Sequence, residues 1–172
     1  MCYFIYLASP LTLSEVRSML PDGLSADLLS TRDQAPFKAR HPDAQTVVRL
    51  LRGACSCDFV VARQPVTRED EAWLRRRFRE LGVPRERVIA ALETHRRALE
   101  RPRRATDRWP DALAGFVAEH VRNAGRSLYL LRFSHPGPSD APLPRAERTV
   151  SPAEVRATPS GWLAEDILTW VE

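Results

Sequence analysis

Apolar residues along this chain follow two different periods, which predict strands and helices in mixed order. Three short segments rich in aromatic, leucine and β-branched residues predict strands at about 2–9, 55–61 and 127–134. The segment 127–134 is apolar on both faces apart from Arg132, which is typical of a strand inside a sheet. The sequence therefore predicts a small, mainly buried sheet.

Apolar residues at helical spacing predict several helices packed on that sheet. Thr12 with Glu15, and Ser151 with Glu154, have the spacing of capping boxes and predict two helix starts. The end of the chain, 161–172, fits a docked helix, with a strand as the alternative, and residues 24–42 have no clear period. The fold class is therefore α/β or α+β. The helices with the clearest period are expected at about 13–20, 44–52, 68–81, 84–99 and 110–123.

The length of 172 residues predicts a single domain, 1–172, large enough to bury a core without disulfides. Residues 136–148 are rich in proline and predict a surface loop, because too little chain follows them to fold alone.

Composition and cysteine count predict a cytoplasmic protein without a membrane segment. No apolar run approaches the roughly 18 residues that cross a bilayer, and the first ten residues lack the basic region of a secretion signal. Three cysteines, an odd number, argue against a disulfide scaffold and favour a reducing compartment.

The cysteines are the first place to look for chemistry. On the predicted strand 55–61, Cys55 and Cys57 point to the same side. If the first strand runs parallel beside it, Cys2 joins them at the same end of the sheet. Three thiolates and one histidine would complete a tetrahedral zinc site, with His135 or His120 as the candidate fourth ligand.

The same cysteines fit two other interpretations. In the first interpretation, one of the cysteines is a redox-active or nucleophilic thiol. Cys2 would become an N-terminal nucleophile if Met1 were removed. Alternatively, all three are small apolar residues of the core, because cysteine is among the most buried residue types and no CxxC spacing is present.

Arginine is the other notable feature, with 25 arginines and a single lysine in the chain. Residues 68–108 hold 13 arginines against 8 acidic residues, a balance compatible with contact to a protein or nucleic-acid partner. A solvated helical face with i,i+4 ion pairs is the alternative. The candidate partner-binding residues are Arg75, Arg76, Arg79, Arg96, Arg97, Arg103 and Arg104.

These observations predict a small cytoplasmic binding or adaptor domain that contacts its partner through the arginine-rich helices. The alternative is a thiol- or metal-dependent protein that uses Cys2, Cys55 and Cys57. No catalytic constellation is recognisable from spacing, so whether the protein is an enzyme stays open.

Overall fold

The computed structural model describes residues 2–61, 68–80, 82–100, 109–134 and 143–172; within these, only the backbone is described at 60–61, 68–71, 73–74, 94–100 and 134. In this part of the chain six strands form one sheet in the order β2-β3-β1-β4-β6-β5. Neighbouring strands are antiparallel except β5 and β6. The strands are β1 (Cys2–Ser9), β2 (Ser25–Leu28), β3 (Thr46–Leu51), β4 (Ser127–Ser134), β5 (Glu147–Val150) and β6 (Leu168–Val171).

Helices accompany the sheet, which makes the fold α+β and confirms the predicted class. Both predicted capping boxes are present, at Thr12 before α1 and at Ser151 before α7. The helices described are α1 (Leu13–Ser18), α2 (Thr31–Arg40), α3 (Cys57–Val61), α4 (Arg68–Glu80), α5 (Arg85–Glu100), α6 (Trp109–Ala124) and α7 (Pro152–Ala157).

Strand β1 lies in the middle of the sheet and is covered on both faces, as its apolar sequence predicts. Ile5 and Leu7 belong to the cluster that includes Leu113 of α6, and Phe4 belongs to the opposite cluster, which includes Phe37 of α2. Burial of each such side chain stabilises the fold by roughly 1.5–3 kcal/mol. The start of β1 is therefore held firmly in place.

The predicted helix at 44–52 is wrong, because these residues form β3. A strand between two neighbours is buried on both faces, so its sequence is almost continuously apolar and also satisfies a helical period. The β-branched run Thr46, Val47 and Val48 favours the strand.

The predicted strand at 55–61 is also wrong. Gly53, with φ +70°, turns the chain at the end of β3, and α3 begins at Cys57. Strand β3 already occupies the side of β1 that this segment would need, and β4 occupies the other.

Other segments refine the predictions. The weakly patterned stretch 24–42 contains β2 and α2. In the segment 161–172, the predicted docked helix is wrong and the strand alternative is correct, because this segment contains β6. Of the predicted loop 136–148, residues 136–142 lie outside the described residues, and its last two residues begin β5.

The chain divides into two compact units, one formed by Met1–Ala62 with Arg108–Glu172 and the other by Arg63–Asp107. The first contains the sheet. The second contains α4 and α5, which the sequence predicts at nearly the same positions. The single-domain assignment for 1–172 stays a prediction.

Candidate metal centre

A tight turn after β3 positions two of the three cysteines. Gly53 adopts a left-handed conformation that glycine accepts at little cost, and the Arg52 amide donates to the Cys55 carbonyl at 3.0 Å. This turn reverses the chain and brings the following residues beside the first residues of β1.

Ser56 fastens the turn to β1. Its amide donates to the Tyr3 carbonyl at 2.8 Å, and its hydroxyl accepts from the Ile5 amide at 3.1 Å. The same hydroxyl donates to the Leu50 carbonyl at 2.5 Å, and the side chain is fully buried. The Ser56 hydroxyl thus bridges Ile5 and Leu50, which are partners in the ladder of β1 and β3, and the Ser56 amide adds a bond to β1 at Tyr3.

The result is a cluster of three thiols. The Sγ atoms of Cys2, Cys55 and Cys57 all lie within 4.8 Å of one another. The three sulfurs lie close together, as the sequence predicts, but a different arrangement of the chain places them there. The turn at Gly53 brings Cys55 and Cys57 beside Cys2, and both strands next to β1 are antiparallel to it.

The cluster lies at the start of β1 and contacts the apolar cores on both faces of the sheet. Cys57 packs against the core on the α6 side, and Cys2 and Cys55 pack against the opposite core. All three are half-buried and none forms a disulfide. The thiols are thus neither sealed in the core nor fully exposed.

Burial favours the protonated form of Cys2 and of Cys57. Burial raises the pKa of Cys2 and raises that of Cys57 strongly, and the neighbouring Cys55 thiol acts in the same direction on both. The Tyr3 amide, which donates to Cys57 Sγ at 3.3 Å, opposes this only in part. An activated nucleophile needs a lowered thiol pKa, so Cys2 and Cys57 lack that property.

A charged pair lies next to the cluster in the chain. The guanidinium of Arg52 contacts the carboxylate of Asp58 at 3.5 Å, and both side chains are exposed. This pair flanks the turn at both ends and contributes little stability by itself.

The histidine His120 lies far from the thiols. Its Nε2 is hydrogen-bonded to the Ser9 hydroxyl at 2.8 Å, and Ser9 ends the strand that Cys2 begins. Eight residues of strand separate the two ends by roughly 20 Å, so the prediction of His120 as the fourth ligand is wrong. His120 is fully buried, with Ser127 and Tyr129 near its Nδ1. The other candidate, His135, lies outside the described residues.

The predicted arginines are distributed unevenly. Arg75, Arg76 and Arg79 are exposed on α4; Arg96 and Arg97 are on α5, where only the backbone is described, and Arg103 and Arg104 lie outside the described residues. Arg75 and Arg79 line a groove together with three residues that were not predicted. These three follow the turn at Gly82, which the sequence does predict. The groove is lined by Arg75, Arg79, Val83, Arg85 and Val88.

Among the described residues, no helix has the length and apolar character needed to cross a membrane. Comparison with known proteins shows no matching family model, no matching curated protein and no matching solved structure.

Proposed function

We propose that Cys2, Cys55 and Cys57 bind a thiophilic metal ion, with Zn²⁺ as the best candidate. The observation that supports this is the mutual proximity of the three Sγ atoms, within 4.8 Å. Soft thiolate ligands select zinc, copper(I) and iron–sulfur clusters among biological metals.

The spacing of the sulfurs is close to what zinc needs. With Zn–S bonds of about 2.3 Å in tetrahedral geometry, ligand sulfurs are about 3.8 Å apart. The cluster therefore needs to contract by about 1 Å at most, which side-chain rotation of half-buried cysteines accommodates. Each thiol that becomes a ligand releases its S–H proton to solvent as its Zn–S bond forms, with no change in oxidation state.

Three thiolates leave one tetrahedral position for another ligand. Among the described residues the cluster contains only the three cysteines. Water can fill such a position, as in zinc sites that remain open to a substrate. That His135 fills it instead stays a prediction from the sequence.

A metal at this point has a direct effect on the fold. It joins the first residue of β1 to the turn that follows β3, two segments otherwise held together by the hydrogen bonds of Ser56 and by Tyr3 N–H to Cys57. Binding to the folded state alone adds to stability by an amount that grows with the logarithm of the affinity. The role that follows is a structural metal with one exchangeable position.

The redox alternative uses the same atoms differently. A disulfide between any two of the cysteines requires an S–S bond of about 2.05 Å and removes two ligands from the cluster. The mutual proximity of three sulfurs, where a disulfide needs only two, favours the metal over this alternative. The adaptor role of the arginine-rich helices is independent of the thiols and stays a prediction.

The experiment is metal titration of the fully reduced, metal-free chain. We expect one Zn²⁺ per chain, and Co²⁺ substitution should give the charge-transfer absorption of thiolate ligands and the visible bands of a tetrahedral site. Each of C2S, C55S and C57S should weaken zinc binding at least about 100-fold, because each removes a direct ligand.

The matched control is Asp58→Asn, which removes the carboxylate beside Cys57 and leaves every thiol in place. It should bind one Zn²⁺ with nearly unchanged affinity. Zinc affinity that stays the same in all three serine variants, or absence of zinc binding by the reduced chain, would overturn the proposal. Isolation with one free thiol and one disulfide would support the redox alternative instead.

A further inference from the structure

The helical hairpin of the second unit contains a groove that is separate from the thiol cluster. Arg75 and Arg79 of α4 are four residues apart and so share a helix face, and Arg85 and Val88 share a face of α5 at a spacing of three. Val83 lines the groove at the turn between the two helices. Its amide donates to the Phe78 carbonyl at 3.0 Å. The groove has a volume of about 530 Å³.

The charge lining this groove is uncompensated among the described residues. No carboxylate in the described part of the chain forms an ion pair with Arg75, Arg79 or Arg85, although the nearby Arg77 pairs with Glu80 at 3.4 Å. Three guanidinium groups in one concave surface attract anions and bind carboxylates or phosphates through paired N–H donors.

Among the described residues, the remaining lining is apolar. Val83 and Val88 are each partly exposed within the groove, so water contacts methyl groups there in the free protein. A ligand gains from covering them only if it brings an apolar group of its own. The volume falls in the range of pockets that enclose a drug-sized ligand or a few side chains.

We propose that this groove binds an acidic protein segment in which carboxylates flank an apolar side chain. The carboxylates pair with Arg75, Arg79 and Arg85, and the apolar side chain covers Val83 and Val88. This is the helix-in-groove mode of peptide recognition, with charge added at its edges. A nucleic-acid backbone would satisfy the arginines but offers no apolar group for the two valines, so the lining favours an acidic peptide.

The test is fluorescence anisotropy with the full chain and a labelled 16-residue peptide that carries glutamates on either side of leucines at helical spacing. We expect saturable binding that weakens as salt is added. A peptide with every glutamate replaced by glutamine should bind at least about tenfold more weakly, and Arg75→Gln with Arg79→Gln together should have a comparable effect.

Arg76→Gln and Arg87→Gln are matched controls, because each removes one exposed arginine from the same helices without touching the groove. They should change affinity less than about twofold. Val88→Gln should weaken the peptide and leave binding of a 20-base-pair duplex unchanged.

Three results would overturn the proposal: equal binding of the glutamate and glutamine peptides, equal effects of the groove and control variants, or duplex binding that depends on the same arginines and exceeds peptide binding. These measurements use no metal, so their failure leaves the thiol proposal untouched, and failure of zinc binding leaves this one untouched.

Discussion

The Ser56 hydroxyl accepts a hydrogen bond from the Ile5 amide across 51 residues of chain, at 3.1 Å. Through this contact a single side chain connects the turn that bears Cys55 and Cys57 to the strand that bears Cys2. The position of the thiol cluster thus depends on a residue that has no metal-binding chemistry of its own.

Replacing Ser56 by alanine should loosen both the fold and the cluster. The change leaves the buried Ile5 amide and Leu50 carbonyl without their serine partner, and a buried group left unsatisfied costs about 1–3 kcal/mol. Urea unfolding of the metal-free protein measures this loss. Ser18→Ala, at an exposed serine of α1, is the control and should change stability by less than about 0.5 kcal/mol.

The turn at Gly53 offers a test based on backbone conformation alone. A Cβ added at Gly53 or at Gly115 meets nothing within 4 Å, but only Gly53 has a positive φ, +70°. Gly53→Ala should therefore destabilise the protein by about 1–2 kcal/mol and weaken zinc binding. Gly115→Ala, inside α6, should instead stabilise it by about 0.5–1 kcal/mol. Thermal unfolding of both variants would contradict the interpretation if the two shifts had the same sign.

Zinc binding should depend steeply on pH. Burial raises the pKa of Cys2 and Cys57, so both are thiols at pH 7 and lose their protons when the metal binds. At least about two protons per Zn²⁺ should be released, and affinity should rise with pH through the neutral range. Calorimetric titration in buffers of different ionisation enthalpy counts the protons, and C57S should release fewer. Binding without proton release would show that thiolates already exist in the free protein.

Acid should destabilise the fold through His120. Burial lowers the pKa of His120 to about 4, whereas in the unfolded chain it is near 6.5. Below about pH 6.5 the unfolded state binds a proton that the folded state does not, so the free energy of unfolding falls as pH decreases towards 4. The loss is up to about 3 kcal/mol.

Urea unfolding at pH 7 and pH 4.5 measures this effect, and His120→Gln provides the comparison. The carboxylates titrate alike in both proteins, so the difference between their pH dependences belongs to His120. Equal dependences would contradict the assignment of a neutral, buried imidazole hydrogen-bonded to Ser9 and close to Tyr129.

Local sequence alone determined the elements whose patterns are unambiguous. The capping boxes at Thr12 and Ser151 predict helix starts because a side chain three residues away satisfies the same backbone amides in any fold. The strands at 2–9 and 127–134 follow from their apolar β-forming residues, and α4 and α5 follow from apolar spacing that ends at the Gly82 turn. The proximity of the three cysteines was also expected, on an incorrect strand arrangement.

Only the tertiary structure decided β3, α3 and the turn that brings the three thiols together. Residues 46–51 are apolar at both periods, and they form a strand because β1 and β2 pair with them on either side. Residues 57–61 do not pair with β1, because β3 and β4 already occupy both neighbouring positions, and they form α3 instead. Strand pairing joins residues far apart in the chain. Which segment pairs with a given strand edge therefore depends on the other segments that can pair with the same edge, and a local sequence pattern does not contain that information.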